Sequence, residues 1–138
     1  VEDLRMVLAA YRIRGMLGFR SRRAEVARIR REVTGAVHAV QPRTVVMVFE
    51  GADGASRRSV DRIARHVTRD IRVAATNAVG SDTTVIGLVV MTGQERDLAA
   101  TCVRHVAVEP PERGDGLVFH AADLRRANIY ELIEEAVV

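Results

Sequence analysis

The stretch that decides the fold is Arg72-Val73-Ala74-Ala75-Thr76-Asn77-Ala78-Val79-Gly80-Ser81-Asp82-Thr83-Thr84-Val85-Ile86-Gly87-Leu88-Val89-Val90-Met91. Its second half, 83–91, is strongly apolar and of strand length, which predicts a strand. The first half, 72–79, reads as a weaker strand, and Gly80-Ser81-Asp82 between them is a tight-turn sequence. Two strands joined by so short a polar turn predict an antiparallel hairpin.

Working outward, Thr44–Phe49 is a second apolar run of strand length, followed by the loop Glu50-Gly51-Ala52-Asp53-Gly54. Ser56 is placed to cap a helix whose inward stripe is Val60, Ile63, Ala64, Val67 and Ile71. Upstream, Ser21 is an N-cap for a helix to about Val40, with Val26, Ile29, Val33, Val37 and Val40 inward and Pro42 as its stop. Leu4, Val7, Leu8 and Tyr11 recur at helical steps and predict a short amphipathic helix over 2–12, interrupted by Gly15 and Gly18. Downstream, a helix is expected from Gln94 to about Val106, with Leu98, Cys102 and Val106 inward. A loop around Pro110-Pro111 and Gly114-Asp115-Gly116 follows, then a strand Leu117–His120 and a closing helix from Ala122 to Ala136. Beyond the first helices the order is βαββαβ. It predicts an α/β (α+β) fold of split βαβ plan, an antiparallel sheet with helices packed on it and an N-terminal helical lead-in. The domain expectation is a lead-in and linker over 1–20 and a single domain over 21–138.

At 138 residues the chain suits one core, and 48% apolar with 28% charged residues is a globular composition. All 21 basic residues are arginine. Without lysine there is no Schiff base and no P-loop ending in Gly-Lys-Ser/Thr. One cysteine, Cys102, excludes an internal disulfide framework and any multi-cysteine zinc site. No apolar run has the length of a membrane-spanning helix, and acid at Glu2-Asp3 is unlike a secretory signal, so a cytoplasmic location is expected. Residues 1–43 carry ten arginines against four acids, yet they lack the interleaved aromatics that stack on bases, so nucleic acid is not the expected partner.

Two loops could carry chemistry. Gly54, Ser56 and Arg57 lead into a helix N-terminus, whose free N–H groups suit phosphate. Gly80, Ser81 and Asp82 form the expected hairpin tip. If that tip lies beside the end of the 44–49 strand, Glu50, Asp53 and Asp82 supply the oxygen ligands a hard cation such as Mg²⁺ requires. Cys102 and His105 stand three apart on one helix without a partner pair, and His66 and Asp70 are spaced as a surface pair. No Gly-x-Ser-x-Gly elbow is present.

The run Ile13-Arg14-Gly15-Met16-Leu17-Gly18-Phe19-Arg20 resembles the opening motif of GGDEF domains, the diguanylate cyclase fold, and the likeness in order and spacing extends over about 12–108. The resemblance implies a ferredoxin-like, nucleotidyl-cyclase-like sheet, a guanine nucleotide as ligand and, in active members, two metal ions held by the first Asp of the strand and the third residue of the tip, which Asp82 retains. It also implies loss of catalysis. Gly51 stands where the first metal-ligating Asp would be, Thr83 and Thr84 replace the acid and aromatic of the tip, and the substrate-contacting segments are missing. The expectation is therefore a non-catalytic, degenerate GGDEF-like regulatory or protein-interaction module of bacterial signalling, with no catalytic residue. Its partner would be a second copy or another protein. Two alternatives stand beside it: an active metal-dependent nucleotidyl cyclase or nucleotide-binding domain, with Mg²⁺ as cofactor, and a structural oligomer subunit of ferredoxin-like topology.

Overall fold

The computed structural model describes residues 5–15, 19–80 and 82–137. Four strands, β1 (Met6–Arg14), β2 (Thr44–Ala52), β3 (Thr84–Val90) and β4 (Leu117–His120), form one sheet in the order β1-β2-β3-β4. Every neighbouring pair is parallel. Helices α1 (Phe19–Val40), α2 (Arg57–Ala78) and α3 (Gly93–Val108) connect them, and α4 (Ile129–Val137) closes the chain. The class is α/β, but the antiparallel split βαβ sheet expected from the sequence is not formed.

The correction lies in residues 72–79. They continue α2 to Ala78, with Ile71 and Ala75 buried on the stripe begun by Val60. Alanine at 74, 75 and 78 favours helix, and Val73, β-branched and in the expected strand, is 57% exposed. With those residues helical, Gly80 and Asp82 belong to a helix-to-strand connection. The chain must then return through α2, so β3 runs parallel to β2.

The first segment is also corrected. Residues 6–14 form a strand, because Val7, Ala9, Tyr11 and Ile13 alternate toward the core. The helical spacing of Leu4, Val7, Leu8 and Tyr11 arose from a run apolar at nearly every position, which satisfies either period. Leu4 itself lies outside the described residues. Instead of leading into the domain, the segment is an edge of its sheet. Gly15 then passes so close to the backbone of Gly54 and Ala55 that a Cβ would collide with it.

Alternation along the central strands divides the core. Val45, Met47 and Phe49 face α1 and α2, as do Val85 and Val89. Val46, Ile86, Leu88 and Val90 face α3 and α4. The first two crossovers thus cover one face and the third covers the other, while strand order keeps advancing in one direction. The third crossover therefore has the opposite hand to the first two, which is rare in parallel sheets.

The expected closing helix breaks in two. A 3-10 turn spans Ala121–Arg125, and α4 begins anew where Asn128 and Glu131 cap each other, Asn128 Oδ1 accepting from the Glu131 N–H at 2.9 Å.

Candidate functional site

In an open parallel sheet, ligands bind beyond the carboxyl ends of the strands, where successive connections leave toward opposite faces. Here that point lies between β2 and β3, since α2 leaves to one face and α3 to the other. Its residues are bound to one another. Glu95, 2% exposed, takes both guanidinium nitrogens of Arg57, Nη1 at 3.2 Å and Nη2 at 3.0 Å. It also accepts from the Met91 N–H at 3.2 Å and the Thr92 hydroxyl at 3.3 Å. Thr92 in turn caps α3 by accepting the Glu95 N–H, completing a reciprocal cap. A second pair, Arg96 with Glu50, joins α3 to the end of β2.

The network continues to β4. Arg57 Nη1 stands 3.4 Å from His120 Nδ1, and His120 Nε2 lies 2.8 Å from Asp61 Oδ1 on α2. Asp61 also accepts from Arg65 Nε at 2.8 Å through its other oxygen. Asp61 Oδ1 is buried and receives no aligned hydrogen bond despite the close imidazole. Burial acts to raise the Asp61 carboxyl, but Arg65 and then His120 hold it below its ordinary value. Glu95 behaves likewise: burial pushes upward, and Arg57 with the Met91 N–H outweighs it. With both imidazole nitrogens engaged, the cluster acts as a brace between α2, α3 and β4.

The residues singled out from the sequence divide between the two ends of the sheet. Glu50, Asp53, Gly54, Ser56 and Arg57 lie at the carboxyl end of β2. Gly80 and Asp82 precede β3 at the opposite end, where Thr84 pairs with Thr44; Ser81 lies outside the described residues. Along β2, Thr44–Ala52, Glu50 stands roughly 20 Å and Asp53 the whole strand away from the Thr44 end at strand rise. Asp82 therefore cannot share a cation with Glu50 or Asp53, and the hairpin tip on which the family resemblance depended is not there. Asp53 is exposed with φ 50° and stands 3.8 Å from Arg14, while the Ser56 hydroxyl is occupied in capping α2. Among the described residues no group of three or more His, Cys, Asp or Glu side chains is placed to hold a metal.

Of the other expectations, His66 and Asp70 do pair, at 3.5 Å. Cys102 is buried, and burial pushes its thiol up to about 11, so it is a core residue with little thiolate. Sequence reading missed the brace. Thr92-Gly93-Gln94-Glu95 carries the Thr-x-x-Glu capping signature, but the Arg57, Asp61 and His120 links join segments far apart in sequence and leave no local signal.

Open space lies elsewhere. A cleft of about 910 Å³ runs between β1 and α1 up to the end of β2, bordered by Arg12, Arg14, Arg28, Arg31, Ser21 and Asp53. One side is fixed by Tyr11, whose hydroxyl donates to Glu32 at 3.0 Å beneath Arg28, itself paired with Glu25 and Glu32. Among the described helices none is long and apolar enough to cross a membrane. Compared with family models, curated proteins and solved structures, the chain matches none.

Proposed function

We propose that this chain is a regulatory or protein-interaction module that works without catalysis and pairs with a second copy of itself through β1. The observation that carries the reading is the outer edge of β1. Nine residues, Met6–Arg14, pair with β2 on one side and, among the described residues, border no strand on the other. Such an edge is a template for another strand, and proteins that do not use it blunt it with charged side chains, proline or a bulge; β1 has no proline and confines its charges to Arg12 and Arg14 at one end. Here the centre is Leu8-Ala9-Ala10, with Leu8 52% exposed and Ala10 exposed.

Antiparallel pairing of two copies about Ala10 is self-complementary. Leu8 then faces Arg12, Met6 faces Arg14, Val7 faces Ile13 and Ala9 faces Tyr11. No arginine faces arginine, so like charges directly opposite are avoided. The internal matching of Glu95, Glu50 and Asp61 with arginines supports the non-catalytic half of the reading. Light scattering tests it: a dimer is expected, dissociated by the pair Leu8→Lys and Ala10→Lys. A strict monomer at high micromolar concentration, or sustained turnover of GTP, overturns it.

A second reading, nucleotide binding without the metal site, draws on the arginine-bordered cleft beside β1, which has the size of a small-ligand pocket. Calorimetric titration with GTP and with cyclic di-GMP, each with and without Mg²⁺, separates the two. Saturable heat lost on Arg12→Ala and Arg31→Ala favours the nucleotide.

A further inference from the structure

The two helices on one face of the sheet carry a charge far from that of the other layer. Helix α1 holds six arginines against two acids, and α2 holds six against two. On the opposite face α3 is balanced, and α4 carries three glutamates and no base. Along α2, Arg58, Arg62, Arg65, Arg69 and Arg72 succeed one another by steps of four and three, which keeps all five on one helical face. All are exposed. Their span of fifteen residues, fourteen steps, is roughly 21 Å at helical rise. Arg65 and Arg72 are paired, to Asp61 and Asp115. Among the described residues Arg58, Arg62 and Arg69 have no ion-pair partner, nor does Arg22 on α1.

Between α1 and α2 runs a groove of about 590 Å³ whose floor is Val26, Ala27 and Ile63. Arg22 and Arg30 stand on its α1 side, with Arg62 and His66 on its α2 side; Asp70 pairs with Arg30 at 3.0 Å and with His66 at 3.5 Å, so among the described residues Arg22 and Arg62 carry the unpaired charge of the rims. It shares Arg62 and His66 with a shallower depression that follows Arg65, Arg69 and Arg72 along α2 toward Gly116. A narrow apolar floor between two basic rims is the complement of a helix apolar on one side and acidic on its flanks. Among the described residues no Phe, Tyr or Trp borders either depression and His66 is the one ring there, so single-stranded nucleic acid finds no run of stacking platforms, and a phosphate backbone has no use for the apolar floor.

We infer that the α1–α2 groove is a docking site for an acidic amphipathic helix of a partner protein, its apolar side on Val26, Ala27 and Ile63 and its carboxylates on the arginine rims. This gives a partner chemistry to the interaction module proposed above, rests on that reading, and uses a surface away from the β1 edge.

The test uses the full chain and two synthetic peptides of about 15 residues, the length that spans the stripe. One has leucines at helical i, i+3, i+4 and i+7 spacing and glutamates elsewhere; the other has the same composition scrambled. A duplex DNA of comparable charge is the third probe. The ordered peptide is expected to bind at least about tenfold more tightly than the scrambled one, and its affinity should fall with added salt. Arg62→Glu with Arg69→Glu should weaken it by a similar factor, as should Ala27→Asp at the exposed part of the floor. Thermal melts and circular dichroism matching the parent verify that these surface variants fold. Equal affinity for the two peptides, indifference to Ala27→Asp, or DNA displacing the peptide at the same salt overturns the inference. A chain that turns over GTP yet binds the ordered peptide in this way sinks the non-catalytic reading and leaves the groove assignment standing.

Discussion

Arg57 and Glu95 form a two-pronged ion pair across the crevice between the carboxyl ends of β2 and β3, the glutamate sealed from solvent and the arginine its half-exposed cover. Removing one partner of a buried pair strands the other's charge, at a cost of about 3 to 5 kcal/mol in a dry interior. Truncating Arg57 would also readmit water, so Arg57→Ala should cost about 2 kcal/mol, below that range. Glu95→Gln keeps the polar cap on α3 and leaves an arginine that water can reach, so about 1 kcal/mol is expected. Urea denaturation of the two variants gives the comparison, and a larger loss for Glu95→Gln would refute the burial argument.

The same carboxylates set the acid limit of stability. Arginine neighbours hold Glu95 and Asp61 below their ordinary values, so the unfolded chain takes up protons at higher pH than the folded one. Their contribution is complete above the unfolded value of about 4 and is lost as pH falls through the lower folded values. Urea midpoints should therefore be flat from pH 7 to about 5 and drop steeply below about 4. Glu95→Gln should be less stable at neutral pH but show a shallower acid decline. An unchanged acid slope would show that this carboxylate is not coupled to folding.

Gly87 is a packing requirement. A Cβ built on it would stand 2.5 Å from Thr68 Oγ1 and 3.1 Å from Val118 Cγ2, and the Thr68 side chain is fully buried. Gly87→Ala should cost about 2 kcal/mol through overpacking. Among the described residues Thr68 Oγ1 is buried without a hydrogen-bond partner, so Thr68→Ala alone should change stability by less than about 1 kcal/mol. The double variant should recover at least about 1 kcal/mol of the Gly87→Ala loss, since contacting sites are not additive. Strict additivity in a thermal or urea series would contradict the contact.

Much of this architecture is legible locally, and its errors have definite causes. The stripe from Val60 to Ile71 identifies α2, and the apolar runs around Val46 and Ile86 identify central strands, because each presents one period over enough residues. Residues 6–14 are apolar at nearly every position of their first half, so either period fits until Ile13 is buried against the α1 layer. Residues 72–79 hold two valines among alanines, and burial of Ala75 decides them, a tertiary fact. That single reversal converts an antiparallel hairpin into a parallel crossover and carries Asp82 to the far end of the sheet. The basic faces of α1 and α2 are visible as arginine spacing, but the groove between them exists only once two helices separated by a strand lie side by side.

Tyr11 offers a spectroscopic check on how β1 and α1 meet. Burial is the first cause that pushes its phenol up to about 12, followed by its hydrogen bond to Glu32 and the charge of that carboxylate. The chain has two tyrosines, no tryptophan and no lysine, so alkaline absorbance reports Tyr11 and Tyr130 with little interference. Tyr130 is raised as well, chiefly by burial. In the unfolded chain both should ionise near the ordinary value of about 10. A phenol raised by folding adds stability that is fully present below that value and is lost as pH climbs through the folded one. Native protein should therefore form tyrosinate late, with one transition near pH 12, and lose stability between about 10 and 12. In Tyr11→Phe that late transition and its share of the alkaline loss should vanish, with a penalty of about 1 kcal/mol at neutral pH for the missing hydrogen bond. Normal titration of both phenols in the folded protein would mean that Tyr11 does not sit against Glu32, and that α1 is not held on the edge strand as described.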